Sequence, residues 1–316
     1  MTTSGTNIYN QNRNQIINLA MSAIGIKTPG RVLTADEINQ AADILNAMVK
    51  SWKNRGDYLW KTTEGTLFTA DGQASYILDG TTANATESYT ASALTSDVSS
   101  GATSIIVADT IGFSIGYFIG IVQDNNTILW TTISNIVGTT ITLVDALTYT
   151  AQTNNIVYAY QTKINRPELI NNAQSRNDVN DVPLTTLSRD TYFNTPVKTV
   201  AGRPNQFYYD KQLTYGRMYL WPVPNDVSYL IKFTFQKMFF DFDTPTNTPD
   251  FPVEWIRALY LNLAVDLARI YGKDMQFREQ LKRDADEALL DCQGFDRENT
   301  SIYFQPATSI NIATYR

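Results

Sequence analysis

The sequence predicts an α+β fold with a helical core built from both ends of the chain, an antiparallel β subdomain, and an inserted small all-β barrel or sandwich module. Three observations predict it. Helical periodicity is strong in residues 251–293 and recurs in residues 13–52. Short β-branched and aromatic runs, separated by turn residues, fill most of the intervening sequence. Helices with one apolar face each are most economically buried against one another, so the middle of the chain is expected to be an insertion.

Two helices are expected near the amino terminus. Residues 13–24 place isoleucine, leucine and alanine on one broad face, and this helix should end at Gly25, which suits a C-cap. Thr34 followed by Glu37 matches a capping box, and apolar residues then recur at helical spacing as far as Trp52. Because each helix has a single apolar face, both need a packing partner.

Strands are expected after these helices. The segment GTLFTADGQASYIL, from Gly65, predicts a β-hairpin with its turn at Asp71 and Gly72. Residues 88–93 contain little to bury and are interpreted as a linker into a module at 94–160, which is expected to fold independently and to be removable. The module's five predicted strands, typical of a small barrel or sandwich, are 104–108, 117–122, 127–133, 139–144 and 155–160.

The run of Asp124, Asn125 and Asn126 has two interpretations. Oxygen ligands of this kind could bind calcium, whereas Asx residues between two strands are typical of a hairpin turn. The spacing does not match the EF-hand loop, so the turn is favoured.

Residues 166–204 are ambiguous: 166–181 are interpreted as a short helix or a turn, 183–192 as a brief strand and a helix start, and 198–204 as a loop. Three antiparallel strands joined by turns are then expected to pair with the earlier hairpin. They are 206–209, 216–222 and 229–236.

A helical hairpin from Phe251 to about Gln293 is the clearest prediction. Asp250 is the expected N-cap, Pro252 suits the first turn, and Gly272 with Asp274 should separate the two helices. Apolar side chains three and four residues apart form a stripe along the first helix. With one tryptophan from the amino-terminal pair, they are the predicted anchors of the helical core: Trp255, Leu259, Leu263, Leu267 and Trp52.

The chain after Gly294 lacks helical periodicity, and its apolar residues occur in short alternating runs around Pro306. Such a segment either packs as a strap on its own subunit or becomes ordered on a partner. The predicted organisation is therefore a helical core (1–64 and 245–293), a β subdomain (65–93 and 161–244), the inserted module (94–160) and an extended tail (294–316).

The composition excludes several kinds of chemistry. The chain has 316 residues, no histidine and a single cysteine, Cys292. Within one chain, this excludes a disulfide framework, a thiolate metal cluster, the ordinary zinc sites and a Ser-His-Asp triad. We therefore expect no enzyme activity, no cofactor and no metal. The sequence has no run long enough to span a bilayer and no signal-peptide pattern, so we expect a soluble intracellular product without membrane contact.

Charge is unevenly distributed. Between Lys61 and Lys163 there is no Lys or Arg, although eight acidic residues occur there: Glu64, Asp71, Asp79, Glu87, Asp97, Asp109, Asp124 and Asp145. DNA affinity comes mostly from Lys and Arg that neutralise phosphates, so this block cannot form a DNA-gripping surface.

The order of several motifs resembles the head-to-tail adaptor family of short-tailed bacteriophages, also called packaged-DNA stabilisation or tail accessory factors. The motifs are LNAMVKSW, INRPELI, GRMYLWPVP and TPDFPVEWIRALYLNLAVDLARIYG, and the resemblance spans most of the chain. Residues 94–160 look like an insertion that some members of the family contain.

The resemblance implies a structural virion protein at the head–tail junction, assembled in the cytoplasm of the bacterial host. It implies a ring of copies, usually twelve, which binds below the portal protein and extends the DNA channel. Tail nozzle or fibre proteins are further expected partners, and double-stranded DNA would pass through the ring without specific binding. The family's carboxyl-terminal end reaches the portal, which implies portal contacts here by Ile302, Phe304, Ile310, Ile312 and Tyr315.

Two other functions remain open. The Tyr-, Trp- and Thr-rich β module could belong to a glycan-binding tail adhesin. A cell-wall glycosidase would need two carboxylates facing across a cleft, for which Glu254 and Asp266 are candidates, although a solvated helix face explains them better.

Overall fold

The computed structural model describes residues 9–52 and 58–296. The chain divides into two units, which we call the helical unit (Met1–Trp60 with Phe239–Arg316) and the β unit (Lys61–Met238). No helix in the described part of the chain is both long and apolar enough to cross a membrane. The helices are α1 (Arg13–Ala23), α2 (Ala35–Trp52), α3 (Arg189–Phe193), α4 (Ile256–Ile270) and α5 (Met275–Phe295), with 3₁₀ turns at Leu59–Lys61 and Val253–Trp255.

The helical unit contains one apolar core, to which α1, α2, α4 and α5 all contribute. Small residues allow close approach between helices, since Ala20, Ala258 and Ala264 are completely buried. Six aromatic side chains contact one another beside these helices, with ring centroids 4.9 to 6.1 Å apart. We call them the aromatic cluster of the helical unit: Trp52, Tyr58, Trp60, Phe239, Phe251 and Trp255.

The helix ends follow local sequence signals with one exception. The capping box predicted before α2 is confirmed, because Thr34 N–H donates to Glu37 Oε2 at 2.9 Å and Glu37 N–H donates to Thr34 Oγ1 at 3.3 Å. Asp274 caps α5 as predicted, by accepting a hydrogen bond from Phe277 N–H at 2.9 Å. The prediction that Asp250 caps the first helix of the hairpin is wrong. The chain enters α4 through a 3₁₀ turn preceded by Pro252, with no side-chain cap.

Polar contacts join the beginning of the helical unit's chain to the segment before α4. The Arg13 guanidinium donates to the carbonyl oxygens of Phe242 and Asp243 at 3.4 and 3.2 Å. The Asn46 side chain accepts from Phe242 N–H at 2.8 Å. These bonds satisfy backbone groups that have no helical partner, so both stretches of chain are needed to complete the unit.

The β unit contains fourteen strands. They are β1 (Thr62–Phe68), β2 (Ser75–Leu78), β3 (Ala85–Thr86), β4 (Thr90–Ala93), β5 (Ser104–Ile106), β6 (Phe118–Gln123), β7 (Thr127–Val137), β8 (Thr140–Leu143), β9 (Ile156–Tyr160), β10 (Leu169–Asn177), β11 (Asn180–Thr186), β12 (Gln206–Lys211), β13 (Gly216–Trp221) and β14 (Leu230–Gln236).

The predicted fold class, an α+β fold centred on a helical core with a small all-β module, is wrong. The described part of the chain is mostly β, with a nearly closed eight-stranded sheet and a six-stranded half-barrel, and only 27% of the described residues are helical. The error arises mainly in one region of the sequence. Residues 166–204, for which the sequence predicts a short helix or turns, one brief strand and a loop, contain the long central strands β10 and β11.

The larger sheet has the order β2-β13-β12-β11-β10-β14-β1-β3. The predicted hairpin of residues 65–78 is therefore wrong, because β1 pairs with β14 whereas β2 pairs with β13. The last three strands are predicted to lie side by side. β12 and β13 do pair with each other, but β14 does not pair with β13 and lies between β10 and β1. A hydrogen bond from Ala83 N–H to the Ile77 carbonyl, 3.0 Å long, links the two edges and brings the sheet close to closure.

The smaller sheet has the order β4-β9-β6-β7-β8-β5 and contains all five strands predicted for the module. Its sixth strand, β4, lies where a linker was predicted, and that interpretation is wrong: residues 90–93 pair with β9. The Ser, Thr and Ala side chains of residues 90–93 bury little, and backbone pairing with β9 makes them an edge strand. A bridge between Leu94 and Val107 joins the edge strands β4 and β5.

The two sheets meet at a second apolar cluster, which we call the aromatic junction. The Phe68 ring of the larger sheet lies 4.8 Å from the Tyr158 ring and 4.9 Å from the Trp130 ring of the smaller one. Leu230 is buried beside Phe68, and the Tyr160 hydroxyl donates to Asn84 Oδ1 at 2.7 Å. Removal of the module would expose Phe68 and Leu230, which argues against the prediction that it can be removed with little loss to the rest of the chain.

Substitution of Gly120 tests the packing of the aromatic junction. A Cβ atom at this position would lie 2.6 Å from ring carbons of Trp130, which is packed against Phe68 and cannot move aside freely. We expect Gly120→Ala to lower the free energy of unfolding by about 1–3 kcal/mol, the usual cost of overpacking. The control is Gly202→Ala, whose Cβ would meet Pro222 at an ordinary 3.6 Å. Chemical denaturation measures both variants, and equal stabilities would contradict the prediction.

Tyr158 gives the β unit a dependence on alkaline pH. Burial, with a smaller contribution from Tyr89, raises the pKa of Tyr158 to about 12. An unfolded tyrosine ionises near pH 10, so above about pH 10 the folded state binds more protons than the unfolded state, and stability falls as the pH rises toward about 12. Tyr158→Phe should show a shallower fall when the free energy of unfolding is measured across this range. Identical slopes would contradict this assignment.

Candidate functional site

The predicted anchors of the helical core lie together inside the helical unit. Leu259, Leu263 and Leu267 are completely buried along α4, and Trp52 and Trp255 contact each other with ring centroids 6.0 Å apart. These side chains have packing roles. The predicted portal-contact residues Ile302, Phe304, Ile310, Ile312 and Tyr315 lie outside the described residues.

The INRPELI motif forms a polar network with β12 in the β unit. In INRPELI, Arg166 donates to Glu168 Oε2 at 3.2 Å, and Glu168 also forms an ion pair with Lys211. The Tyr209 hydroxyl donates to the Pro167 carbonyl at 2.6 Å. We call this arrangement the motif network; its charges are paired, as burial of ionic groups requires.

The second motif, GRMYLWPVP, supplies the space that the motif network needs. Its first residue, Gly216, lies under the Tyr209 side chain, where an added Cβ would come within 2.0 Å of the hydroxyl oxygen. Only a residue without a side chain leaves room for Tyr209 to reach Pro167. Both motifs therefore hold strands together, and the motif network has a scaffold role.

The Asp124 run forms the turn between β6 and β7, so the turn interpretation is confirmed. Asn126 adopts a left-handed conformation, with φ of 62°, which asparagine tolerates. Asp124 accepts hydrogen bonds from Thr150 and Asn155 at 2.8 and 3.0 Å. Its oxygens are thus used in joining loops of the six-stranded sheet.

Asp266, one candidate for a glycosidase carboxyl, lies in an open groove between α4 and α5 with a volume of about 420 Å³. Burial raises the pKa of Asp266, while Arg269 acts in the opposite direction. The other candidate, Glu254, is not among the residues that line this groove. The structure does not bring the two carboxylates together across a cleft.

A polar groove of about 270 Å³ lies on the outer face of the larger sheet, and we call it the sheet-face groove. It crosses three adjacent strands, because Asn172 of β10 pairs with Thr234 of β14, which pairs in turn with Glu64 of β1. The next row places Gln174 opposite Lys232. The alternate residues of these strands point into the core, so a polar face is directly supported by an apolar one.

Hydrogen bonds hold the side chains of the sheet-face groove in place. Arg176 binds Asp181 through two parallel bonds, from Nε at 2.7 Å and from one terminal nitrogen at 2.6 Å, and these bonds lower the pKa of Asp181. Thr234 Oγ1 donates to Asn172 Oδ1 at 2.6 Å. Gln174 Nε2 lies 3.3 Å from Asp181 Oδ2, to which it donates.

Lys232 is the exception in the sheet-face groove. Its ammonium lies 5.0 Å from the centre of the Tyr89 ring, and no carboxylate of residues 9–52 or 58–296 lies within ion-pair distance of it. Burial lowers the pKa of Lys232 and the positive charge of Arg176 lowers it further, while the carboxylates of Glu64 and Asp181 act in the opposite direction. A half-buried cation beside a second cation is costly unless an anion compensates for it.

Sequence reasoning missed the sheet-face groove because it did not identify β10 as a strand. A signal was present: in residues 172–176 polar side chains alternate with Ala173 and Ser175, which is the period of two expected for a half-buried strand. The pattern contains no β-branched or aromatic residue, so strand propensity did not support it.

Comparisons with known proteins add little. No family model and no curated protein matches the chain. Among solved structures, part of this chain is similar to the Gp54 tailspike of Acinetobacter baumannii bacteriophage AP22, determined in complex with A. baumannii capsular saccharide. The similarity covers 25% of this chain and 15% of the tailspike chain, at 19% identity and a TM-score of 0.21. A likeness at this level carries no argument about fold or function.

Proposed function

We propose that this chain is a structural protein of a bacteriophage virion, a head-to-tail adaptor that acts without enzymatic chemistry. Copies of it form a ring, twelve by analogy with the adaptor family, below the portal protein at the head–tail junction. The ring extends the DNA channel and connects the capsid to tail nozzle or fibre proteins.

One observation carries the proposal: the motifs that resemble the adaptor family occupy scaffold positions. INRPELI supplies Arg166 and Glu168 to the motif network of the β unit, and Gly216 of GRMYLWPVP leaves the space in which Tyr209 reaches Pro167. DFPVEWIRALYLNLA forms α4 and part of the aromatic cluster, where Trp255 is 2% exposed. Motif residues with packing roles fit a structural family better than a family defined by a catalytic site.

The charge distribution agrees with loose passage of DNA. The β unit contains the stretch between Lys61 and Lys163 that has eight acidic residues and no basic one. Few phosphates can be neutralised by such a surface, and DNA would move past it without strong salt-dependent binding.

Co-sedimentation with portal rings tests the adaptor role. The full chain is mixed with purified portal protein from the same phage, the complexes are separated by gradient centrifugation, and the peak fractions are imaged by electron microscopy. We expect a ring of copies on the tail-facing side of the portal. A chain that stays at the top of the gradient at all concentrations would overturn the proposal.

A truncated chain tests the role of the tail. Termination after Asp296 keeps all of α5, which ends at Phe295. We expect this variant to keep the melting temperature of the full chain and to lose co-sedimentation with portal rings. A much lower melting temperature would identify the tail as a strap on its own subunit, and normal portal binding would place the portal contact elsewhere.

A further inference from the structure

We propose that the sheet-face groove binds a sugar that carries a carboxylate, such as one uronic acid residue of a bacterial surface polysaccharide. The inference stands apart from the adaptor role, because it rests on the groove alone. Each can fail without the other.

The first argument is the pair of cationic donors. The ammonium of Lys232 and the guanidinium of Arg176 both line the groove, while the carboxylate of Asp181 is used by Arg176. The carboxylates of Glu64 and Asp181 act on Lys232 from a distance, and neither forms an ion pair with it. Arg176 Nε and one terminal nitrogen are bonded to Asp181, which leaves the other terminal nitrogen with two N–H donors. A ligand carboxylate would be bound by Lys232 and by this nitrogen through charge-assisted hydrogen bonds.

The second argument concerns hydroxyl groups. Glu64 also lines the groove, and its carboxylate can only accept hydrogen bonds, so it would repel a simple anion but accept bonds from hydroxyl groups. The bonds described above leave Gln174 Oε1 as another acceptor and Asn172 Nδ2 as a donor. A bare carboxylate or phosphate would use the two cations and leave these three groups without partners. A sugar acid provides a carboxylate and several hydroxyl groups in one ring.

The third argument concerns size and rigidity. A volume of about 270 Å³ is slightly below the range typical of pockets for drug-sized ligands, which suits a single sugar residue. The side chains project from three paired strands and are held by bonds to Asp181 and Thr234, so little conformational entropy is lost on binding. Tyr89 holds Lys232 from outside the groove.

Ligand-detected NMR titration of the full chain tests the proposal, with D-glucuronate as the probe and D-glucose and inorganic phosphate as comparisons. We expect glucuronate to bind with a Kd on the order of 1 mM, as is reasonable for so small a ligand. Glucose should bind at least roughly tenfold more weakly, because it lacks the carboxylate. Phosphate should be similarly weak, because it lacks the hydroxyl donors that Glu64 requires.

Lys232→Met is the decisive variant, because methionine keeps the apolar stem and removes the charge. It should bind glucuronate roughly tenfold more weakly or worse, with an unchanged melting temperature. The matched control is Lys237→Met, just beyond the end of β14, since Lys237 pairs with Glu87 and does not line the groove. This control should bind glucuronate as the wild type does.

Three results would overturn the assignment. Equal binding of glucuronate by the wild type and by Lys232→Met would exclude the groove as the site. Equal affinities for phosphate and glucuronate would identify a general anion site instead of a sugar site. Absence of glucuronate binding, together with self-association that Lys232→Met abolishes, would show that a carboxylate of a second copy occupies the groove.

Discussion

Trp255→Ala will lower the free energy of unfolding of the helical unit by about 3–5 kcal/mol, as expected when a large aromatic side chain is removed from a core. Trp255 is 2% exposed and lies within 6.1 Å, between ring centroids, of four other aromatic side chains. These neighbours come from both ends of the chain: Trp52, Tyr58, Trp60 and Phe251. They are held by three separate stretches of backbone, since Tyr58 and Trp60 share one, and so cannot close the cavity together.

The loss is measured by urea denaturation followed by circular dichroism at the helical band. Leu290→Ala on α5 is the control, since Leu290 is 65% exposed and its removal should change stability by less than about 0.5 kcal/mol. A cost near zero for Trp255→Ala would mean that Trp255 is not part of a packed core, and would leave it available for an assembly surface.

Removal of the six-stranded module, by deletion of residues 89–160 and insertion of a short glycine linker, will destabilise the larger sheet by about 3–6 kcal/mol. The estimate comes from two side chains that lose their cover, Phe68 and Leu230, at roughly 1.5–3 kcal/mol each. The two cut ends are close to each other, because Thr90 pairs with Ala159. The deletion itself should therefore not strain the backbone.

A second variant separates loss of cover from loss of fold. Phe68→Thr combined with Leu230→Thr in the shortened chain replaces the exposed apolar surface with residues that suit a solvated strand. We expect the shortened chain to aggregate and the doubly substituted one to stay soluble, as judged by light scattering. If the shortened chain keeps the full melting temperature and remains monomeric, the aromatic junction contributes nothing to stability.

Local signals in the sequence predicted the helices and the strands of the module well. Thr34 with Glu37, Asp274 and Gly272 act within one turn of helix, so their effect does not depend on distant residues. The module's strands are separated by Asx and Gly turns, which makes their pattern readable, although among their pairings only β6–β7 and β7–β8 join strands that are neighbours in the sequence.

Strand pairing in the larger sheet could not be predicted in the same way. β1 and β2 look like a hairpin because Asp71 and Gly72 lie between them, yet each finds its partner more than 130 residues away in the chain. Register and pairing are decided by which strands can cover the core, and a short turn motif carries no information about which strands those are.

The sheet-face groove was hidden for the same reason. Glu64, Asn172 and Lys232 belong to three strands that are far apart in the sequence, and only the pairing of β1, β14 and β10 brings them together. The unpaired charge of Lys232 is a property of this assembled surface. No feature of its neighbours in the sequence distinguishes it from an ordinary exposed lysine.

The ends of the β unit are adjacent, and this has a consequence for the order in which the chain folds. Thr62 pairs with Gln236, and Lys237 N–H donates to the Lys61 carbonyl at 3.0 Å. Once the β unit has folded, the two stretches that build the helical unit are connected through a short folded span instead of a long open loop. This lowers the free-energy cost of loop closure for the helical unit by about 4 kcal/mol.

During synthesis, α1 and α2 leave the ribosome first but have no core to join until α4 and α5 follow. The β unit is complete before then and already holds the attachment points of both stretches together. The folded β unit therefore keeps the two stretches of the helical unit close together. The last folding step is then the packing of nearby helices, and distant parts of the chain do not have to find each other.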